Sequence, residues 1–131
     1  MTGRPDNPDR KRVLVIDDDP AICQMLADAL GDEGYAVLTA EDGADGLRRA
    51  RDWRPHVILC DLVMPRMNGF EFVRNYRQTP GPHAALFVMT AAGATARAAV
   101  EALSADEFFP KPFEVTRLLE SVAHHAHLPV A

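Results

Sequence analysis

The sequence is poor in the features that mark specialised chains. It has only two cysteines, Cys23 and Cys60, too few for a disulfide framework, and a reducing compartment is the simpler setting. Lysine occurs only at Lys11 and Lys111. Acidic residues number 19 against 14 basic ones, a net charge of −5, which argues against binding nucleic acid by neutralising its phosphates. No window approaches the roughly 18 consecutive apolar residues of a membrane span. The polar start, MTGRPDNPDRKR, also lacks the apolar stretch of a secretory signal. A cytoplasmic protein with no membrane or nucleic-acid partner is expected.

What remains is an ordinary globular composition, 47% hydrophobic and 25% charged over 131 residues, enough for one domain with its own core. Residues 1–11 read as a disordered N-terminal lead, with Arg10-Lys11-Arg12 as solvated charge, and 12–128 as one unit without repeats or linkers. Short apolar runs alternate with helical patterns along that unit. Val13-Leu14-Val15-Ile16 reads as a strand buried on both faces. Asp19-Pro20 then opens a helix whose stripe is Ile22, Met25, Leu26, Ala29 and Leu30. Further strands are expected at 35–40, 57–60, 84–89 and 107–110. Helices are expected at 42–51, closed by Trp53 and Pro55, then around Phe72, Val73 and Tyr76, and at 94–103. A last helix carries Val115, Leu118, Leu119, Val122, Ala123 and Ala126. Five strands alternating with five helices imply a parallel α/β sheet covered on both faces, with every strand ending on one rim.

The residues that follow the strands carry the chemistry. Asp17-Asp18 follow the first strand, Asp61 the third, Thr90 the fourth, and Lys111 the fifth after Pro110. Three converging carboxylates repel one another unless a hard cation such as Mg²⁺ takes their oxygens. A lysine beside them suits a further anion, and a threonine hydroxyl can donate to it. Metal, phosphoryl group and attacking carboxylate together suggest an aspartyl phosphate.

Asp17-Asp18, the string Ile58-Leu59-Cys60-Asp61-Leu62-Val63-Met64-Pro65-Arg66-Met67-Asn68-Gly69, Thr90-Ala91 and Lys111-Pro112-Phe113 together resemble the receiver domain of two-component response regulators. The likeness covers about residues 12–127. It implies the flavodoxin-like, CheY-like fold, a doubly wound (βα)5 arrangement with strand order 2-1-3-4-5. It implies that Asp61 is the phospho-acceptor, that Asp18 binds Mg²⁺ directly and Asp17 largely through water, and that the Val63 carbonyl is a further ligand. Lys111, followed by a cis peptide to Pro112, would pair with the phosphoryl oxygens. Thr90 would be the switch hydroxyl, Phe108 the aromatic that follows it, and Ala91 a small residue that leaves the phosphoryl group accessible.

The implied partner is a sensor histidine kinase or a histidine phosphotransfer protein. The implied output is a surface made of the fourth helix, fifth strand and fifth helix, in a stand-alone receiver or the regulatory domain of a longer response regulator. Such a protein is no enzyme beyond catalysing its own phosphorylation and dephosphorylation. Ser104 stands where a Gly-Ala turn is common, the spacing from Thr90 to Lys111 is slightly short, and the 94–103 helix is rich in small residues. Val63 and Ala92 are apolar and cannot orient a water, so slow self-dephosphorylation is expected.

Several residues have simpler readings. Asp19 is expected to be an N-cap, Cys23 and Cys60 small buried groups, and His124, His125 and His127 solvated or partner-facing. The alternative function is an Mg²⁺-dependent phosphohydrolase that passes through an aspartyl phosphate. Such enzymes put the nucleophile after the first strand under a cap, and no cap-sized insertion is present. A flavin-mononucleotide binder would need a phosphate-cradling loop where Asp17-Asp18-Asp19 would repel the phosphate.

Overall fold

Alternation along the strands sorts the core into two layers. In the computed structural model, which describes residues 10–64, 67–90, 101 and 103–127, Leu14, Ile16, Ile58, Cys60, Leu86 and Val88 face one side of the sheet. Val13, Val15, Val57, Leu59, Phe87 and Met89 face the other. Successive strand side chains point to opposite faces, so continuous apolar runs supply both layers at once.

The strands are β1 (Arg12–Ile16), β2 (Ala36–Ala40), β3 (Val57–Asp61), β4 (Ala85–Thr90) and β5 (Glu107–Pro110). They form one parallel sheet in the order β2-β1-β3-β4-β5. The described helices are α1 (Pro20–Asp32), α2 (Gly43–Trp53), α3 (Gly69–Arg77) and α4 (Val115–Ala126), the last being the fifth helix of the sequence reading. Helices α2 and α3 cover the first face through Ala50, Phe72, Val73 and Tyr76. The second face is covered by Cys23, Leu26 and Leu30 of α1 and by Leu118, Val122 and Ala126 of α4. This is the doubly wound fold expected from the sequence.

Local signals set the helix ends. The Asp19 carboxylate accepts from the Ala21 N–H at 2.9 Å, with Pro20 in the first turn. Asp42 accepts from Asp45 N–H at 2.8 Å, and α2 closes on Arg54 in the left-handed region at φ 54°. No helix among the described residues is long and apolar enough to cross a membrane.

The structure departs from the sequence reading at several points. Asp61 and Thr90 are the last residues of their strands, because ladder pairing continues one residue past the apolar run. Met25 is 41% exposed while Cys23 is buried, so the stripe of α1 is rotated from the one expected. Ala123 is likewise exposed. Arg10 and Arg12 are committed rather than merely solvated: Arg10 donates to the Gly34 carbonyl, and Arg12 clamps the Arg54 carbonyl through Nε and Nη2 at 3.0 and 2.8 Å. His125 is half-buried, edge-on to Phe87 with Nε2 3.2 Å from Glu107 Oε2, because Phe87 and Glu107 leave it a place at the sheet. Most of the expected lead and nearly all of the 94–103 helix, with Ala91 and Ala92, lie outside the described residues.

Candidate functional site

Strand register brings the rim residues together. Ile16 pairs with Cys60, Asp61 with Met89, and Thr90 with Pro110. The residues just beyond or at these pairs, Asp17, Asp61, Thr90 and Lys111, therefore occupy adjacent strand ends at one edge.

Asp17 is fully buried and Asp61 is 5% exposed. The Asp17 backbone N–H donates to the Ala40 carbonyl of β2 at 3.0 Å. One Asp17 carboxylate oxygen accepts from the Asp19 N–H at 2.9 Å, and the other accepts from Lys111 Nζ at 2.8 Å. Lys111 Nζ also donates to Asp61 Oδ2 at 3.2 Å. Asp61 Oδ1 accepts from the Val63 N–H at 3.2 Å. Asp18 is exposed, and oxygens of Asp17, Asp18 and Asp61 lie within 4.8 Å of one another.

These groups perturb each other. Burial lifts the Asp61 carboxyl above its usual range, against the Val63 N–H; Asp17 pushes it further up and Lys111 pulls it down, leaving it raised. Burial alone would lower the Lys111 ammonium, but its bonds to Asp17 and Asp61 raise it overall. One cation thus stands between two buried anions. The all-oxygen donor set, with one open and two buried carboxylates, is consistent with a hard cation such as Mg²⁺.

Thr90 is buried at the end of β4, and its backbone carbonyl accepts from the Lys111 N–H at 2.9 Å. The Lys111–Pro112 peptide is cis. Phe108 is half-buried and packs against the core layer under α2 and α3. The Val63 side chain is 67% exposed.

Some supporting residues escaped the sequence reading. Asn68 and Glu71 form a reciprocal capping box, the Asn68 side chain accepting from Glu71 N–H at 3.0 Å and Glu71 from Asn68 N–H at 3.4 Å. The Asn-x-x-Glu spacing was the available signal. Gly69 carries α3 against the end of β3: a Cβ there would overlap the Asp61 carbonyl oxygen and lie 2.6 Å from the Leu62 Cα. The Cys23 thiol donates to the Asp17 carbonyl at 3.2 Å, a contact for which nothing in the sequence gives a signal.

The comparisons agree with this geometry. The family model of the response regulator receiver domain matches residues 13–123. The response regulator MprA of Mycobacterium sp. (strain KMS) is 38% identical over 109 residues, 82% of this chain and 47% of the relative. The chain therefore spans about half the length of the curated relatives it matches. Among solved structures, the chemotaxis protein CheY4 of Vibrio cholerae is 33% identical with a TM-score of 0.75, covering 88% of this chain and 98% of its own. A CheY-like receiver domain from Methanospirillum hungatei is 26% identical with a TM-score of 0.82, covering 89% and 94%. Sheet order, the acidic rim and these likenesses converge: the chain belongs to the response regulator receiver domain family, whose members are signalling switches of two-component systems.

Proposed function

We propose that this receiver accepts a phosphoryl group on Asp61 from a histidine kinase or a histidine phosphotransfer protein. Lys111 Nζ, bound at once to Asp17 and Asp61 on the rim, is the observation that carries this reading. An ammonium already held against the acceptor carboxylate can stay on the oxygens of an arriving phosphoryl group. In the transfer, a bond forms between an Asp61 oxygen and phosphorus, the phosphorus–nitrogen bond breaks, and the imidazole leaves as the neutral base once protonated by solvent.

Asp17, Asp18 and Asp61, with the Val63 carbonyl, are the residues that would hold Mg²⁺, which when bound supplies positive charge against the phosphoryl oxygens. Val63 N–H orients the acceptor through Oδ1. The buried Thr90 offers its hydroxyl from the adjacent strand end, and Phe108 packs on the same side of the sheet as the layer under α2 and α3. In this reading their rearrangement biases the surface of the 94–103 segment, β5 and α4 toward a downstream protein. Hydrolysis of the aspartyl phosphate resets the switch, and the only catalysis is on the protein's own side chain. The working unit is taken as residues 12–128.

Intact-mass spectrometry after incubation with acetyl phosphate and Mg²⁺ tests the proposal. One phosphoryl adduct is expected on the wild type, and none on Asp61→Ala or in EDTA. An adduct that survives Asp61→Ala would move the acceptor elsewhere and overturn it.

A further inference from the structure

At the opposite edge of the sheet from the carboxylates lies a cleft of about 270 Å³. It is bounded by the start of β1, the end of α2, the entry to β3 and the loop before β4. Its charge is one-sided: Arg12, Arg51, Arg54 and His56 line it, and among the described residues no carboxylate does. Asp52, the nearest acid along α2, lines a separate hollow beside Leu38 and Trp53. In a chain of net charge −5, three guanidiniums gathered with no acid among the described residues beside them favour an anionic ligand.

The donors are open. Arg51 and Arg54 are exposed and make no ion pair among the described residues. Arg12 spends two N–H groups on the Arg54 carbonyl, which leaves three of its five donors. The Arg12 backbone N–H donates to His56 Nδ1 at 2.9 Å, so the neutral ring carries its proton on Nε2 as a further donor. Burial holds the His56 pKa below its ordinary value, and the charges of Arg12 and Lys11 add to that from the positive side. The carboxyl end of α2 opposes this with roughly half a negative charge. Arg12 already covers the carbonyl of the C-cap residue Arg54, and three full cations outweigh the helix end.

The remaining walls are apolar and braced. Pro80 and Pro82 form them on the exposed side, with the buried Pro55 and Tyr76 behind. Tyr76 Oη accepts from Ala84 N–H at 2.7 Å, Thr79 Oγ1 donates to the Tyr76 carbonyl at 2.6 Å, and His83 Nε2 sits 2.8 Å from the Thr79 carbonyl. A cleft held in shape before binding loses little on ordering.

We propose that this cleft binds a small organic anion, its carboxylate or phosphate on the Arg12, Arg51 and Arg54 guanidiniums and its apolar body against the exposed Pro80 and Pro82. The site is independent of phosphorylation at Asp61. The test is an NMR titration of the full chain in EDTA with benzoate, phenyl phosphate, inorganic phosphate and polyaspartate. Benzoate, phenyl phosphate or both should produce saturable shifts at His56, Tyr76 and Thr79, and whichever binds more tightly identifies the anionic group. Affinity should fall about tenfold in Arg51→Glu and in Arg54→Glu, both exposed positions, and hold in Arg117→Glu on α4. Inorganic phosphate should bind more weakly than phenyl phosphate because it leaves the apolar walls empty. Absence of saturable shifts, or shifts indifferent to both arginine reversals, would overturn the proposal. So would binding of polyaspartate alone, which would assign the cleft to an acidic protein partner.

Discussion

Replacing Lys111 by methionine keeps most of the side chain's bulk and removes its charge. Lys111 stands 2.8 Å from an oxygen of Asp17 and 3.2 Å from one of Asp61. At an effective dielectric near 20 each contact is worth about 5–6 kcal/mol before desolvation. The carboxylate oxygens, within 4.8 Å of each other, repel by about 3.5 kcal/mol or more on the same scale. Breaking buried pairs of this kind costs about 3–5 kcal/mol net, and the partial exposure of the ammonium favours the lower figure. Urea unfolding of Lys111→Met in EDTA at pH 7 should therefore show a loss of about 3 kcal/mol. Saturating Mg²⁺ should cut that loss to about 1 kcal/mol, since a divalent cation replaces the missing charge and binds only the folded chain. The loss in EDTA should also shrink as pH falls. The Asp61 carboxyl is already raised by burial, and the variant raises it further. The folded state then binds more protons than the unfolded one, which makes stability rise on acidification. A variant as stable as wild type in EDTA, or a loss unchanged by Mg²⁺, would refute the view that the ammonium holds two charged carboxylates apart.

Other perturbations follow from single contacts. Gly69→Ala forces a methyl into the Asp61–Leu62 backbone and should cost about 1–3 kcal/mol in thermal or urea unfolding and slow phosphorylation. Gly31→Ala, with nothing within 4 Å of the added carbon, should be neutral or stabilise by up to about 1 kcal/mol; equal losses at both sites would defeat the packing argument. Ser104 adopts φ 55°, so Ser104→Gly should raise stability by roughly 0.5–1 kcal/mol, and a lower melting temperature would contradict that. Burial first, then the Asp17 charge, lifts the Cys23 thiol from 9.0 to about 11. Native protein at pH 8 should alkylate there about a hundredfold more slowly than unfolded protein. This thiol's contribution to stability is complete below pH 9 and drains away as pH rises toward 11. Comparable alkylation rates in the two states would refute the burial. The exposed, apolar Val63 beside Asp61 should leave the aspartyl phosphate slow to hydrolyse, and a half-life of seconds would contradict that reading.

The parts of the molecule legible in the sequence are those in which one residue type answers one physical demand. A continuous apolar run such as Val13 to Ile16, mostly β-branched, is hard to place except in a doubly covered strand, and the placement of acids after such runs follows once the sheet is parallel. Asp19-Pro20 announced the start of α1 for the same reason. Periodicity was less informative where two faces compete. Met25 and Cys23 flank Leu26, and only packing against the sheet selects the cysteine.

Contacts between residues far apart in the chain left no local trace. His125 looks like one of a cluster of C-terminal histidines until Phe87 and Glu107, on two neighbouring strands, give it a place. Arg12 looks like the end of a basic run until the left-handed turn at Arg54 turns its carbonyl toward the guanidinium. The basic cleft is of this second kind. Its arginines lie at 12, 51 and 54, and their meeting depends on β1 and β3 being neighbours while α2 ends beside both. Parallel order produces this at both edges. It gathers strand ends into an acidic rim and, by the same geometry, gathers strand starts into a basic one. The rim after the strands is recognisable because its residues each follow an apolar run. The edge before them gathers charge of one sign among the described residues, but its arginines sit at a strand start and a helix end, where arginine has many ordinary uses.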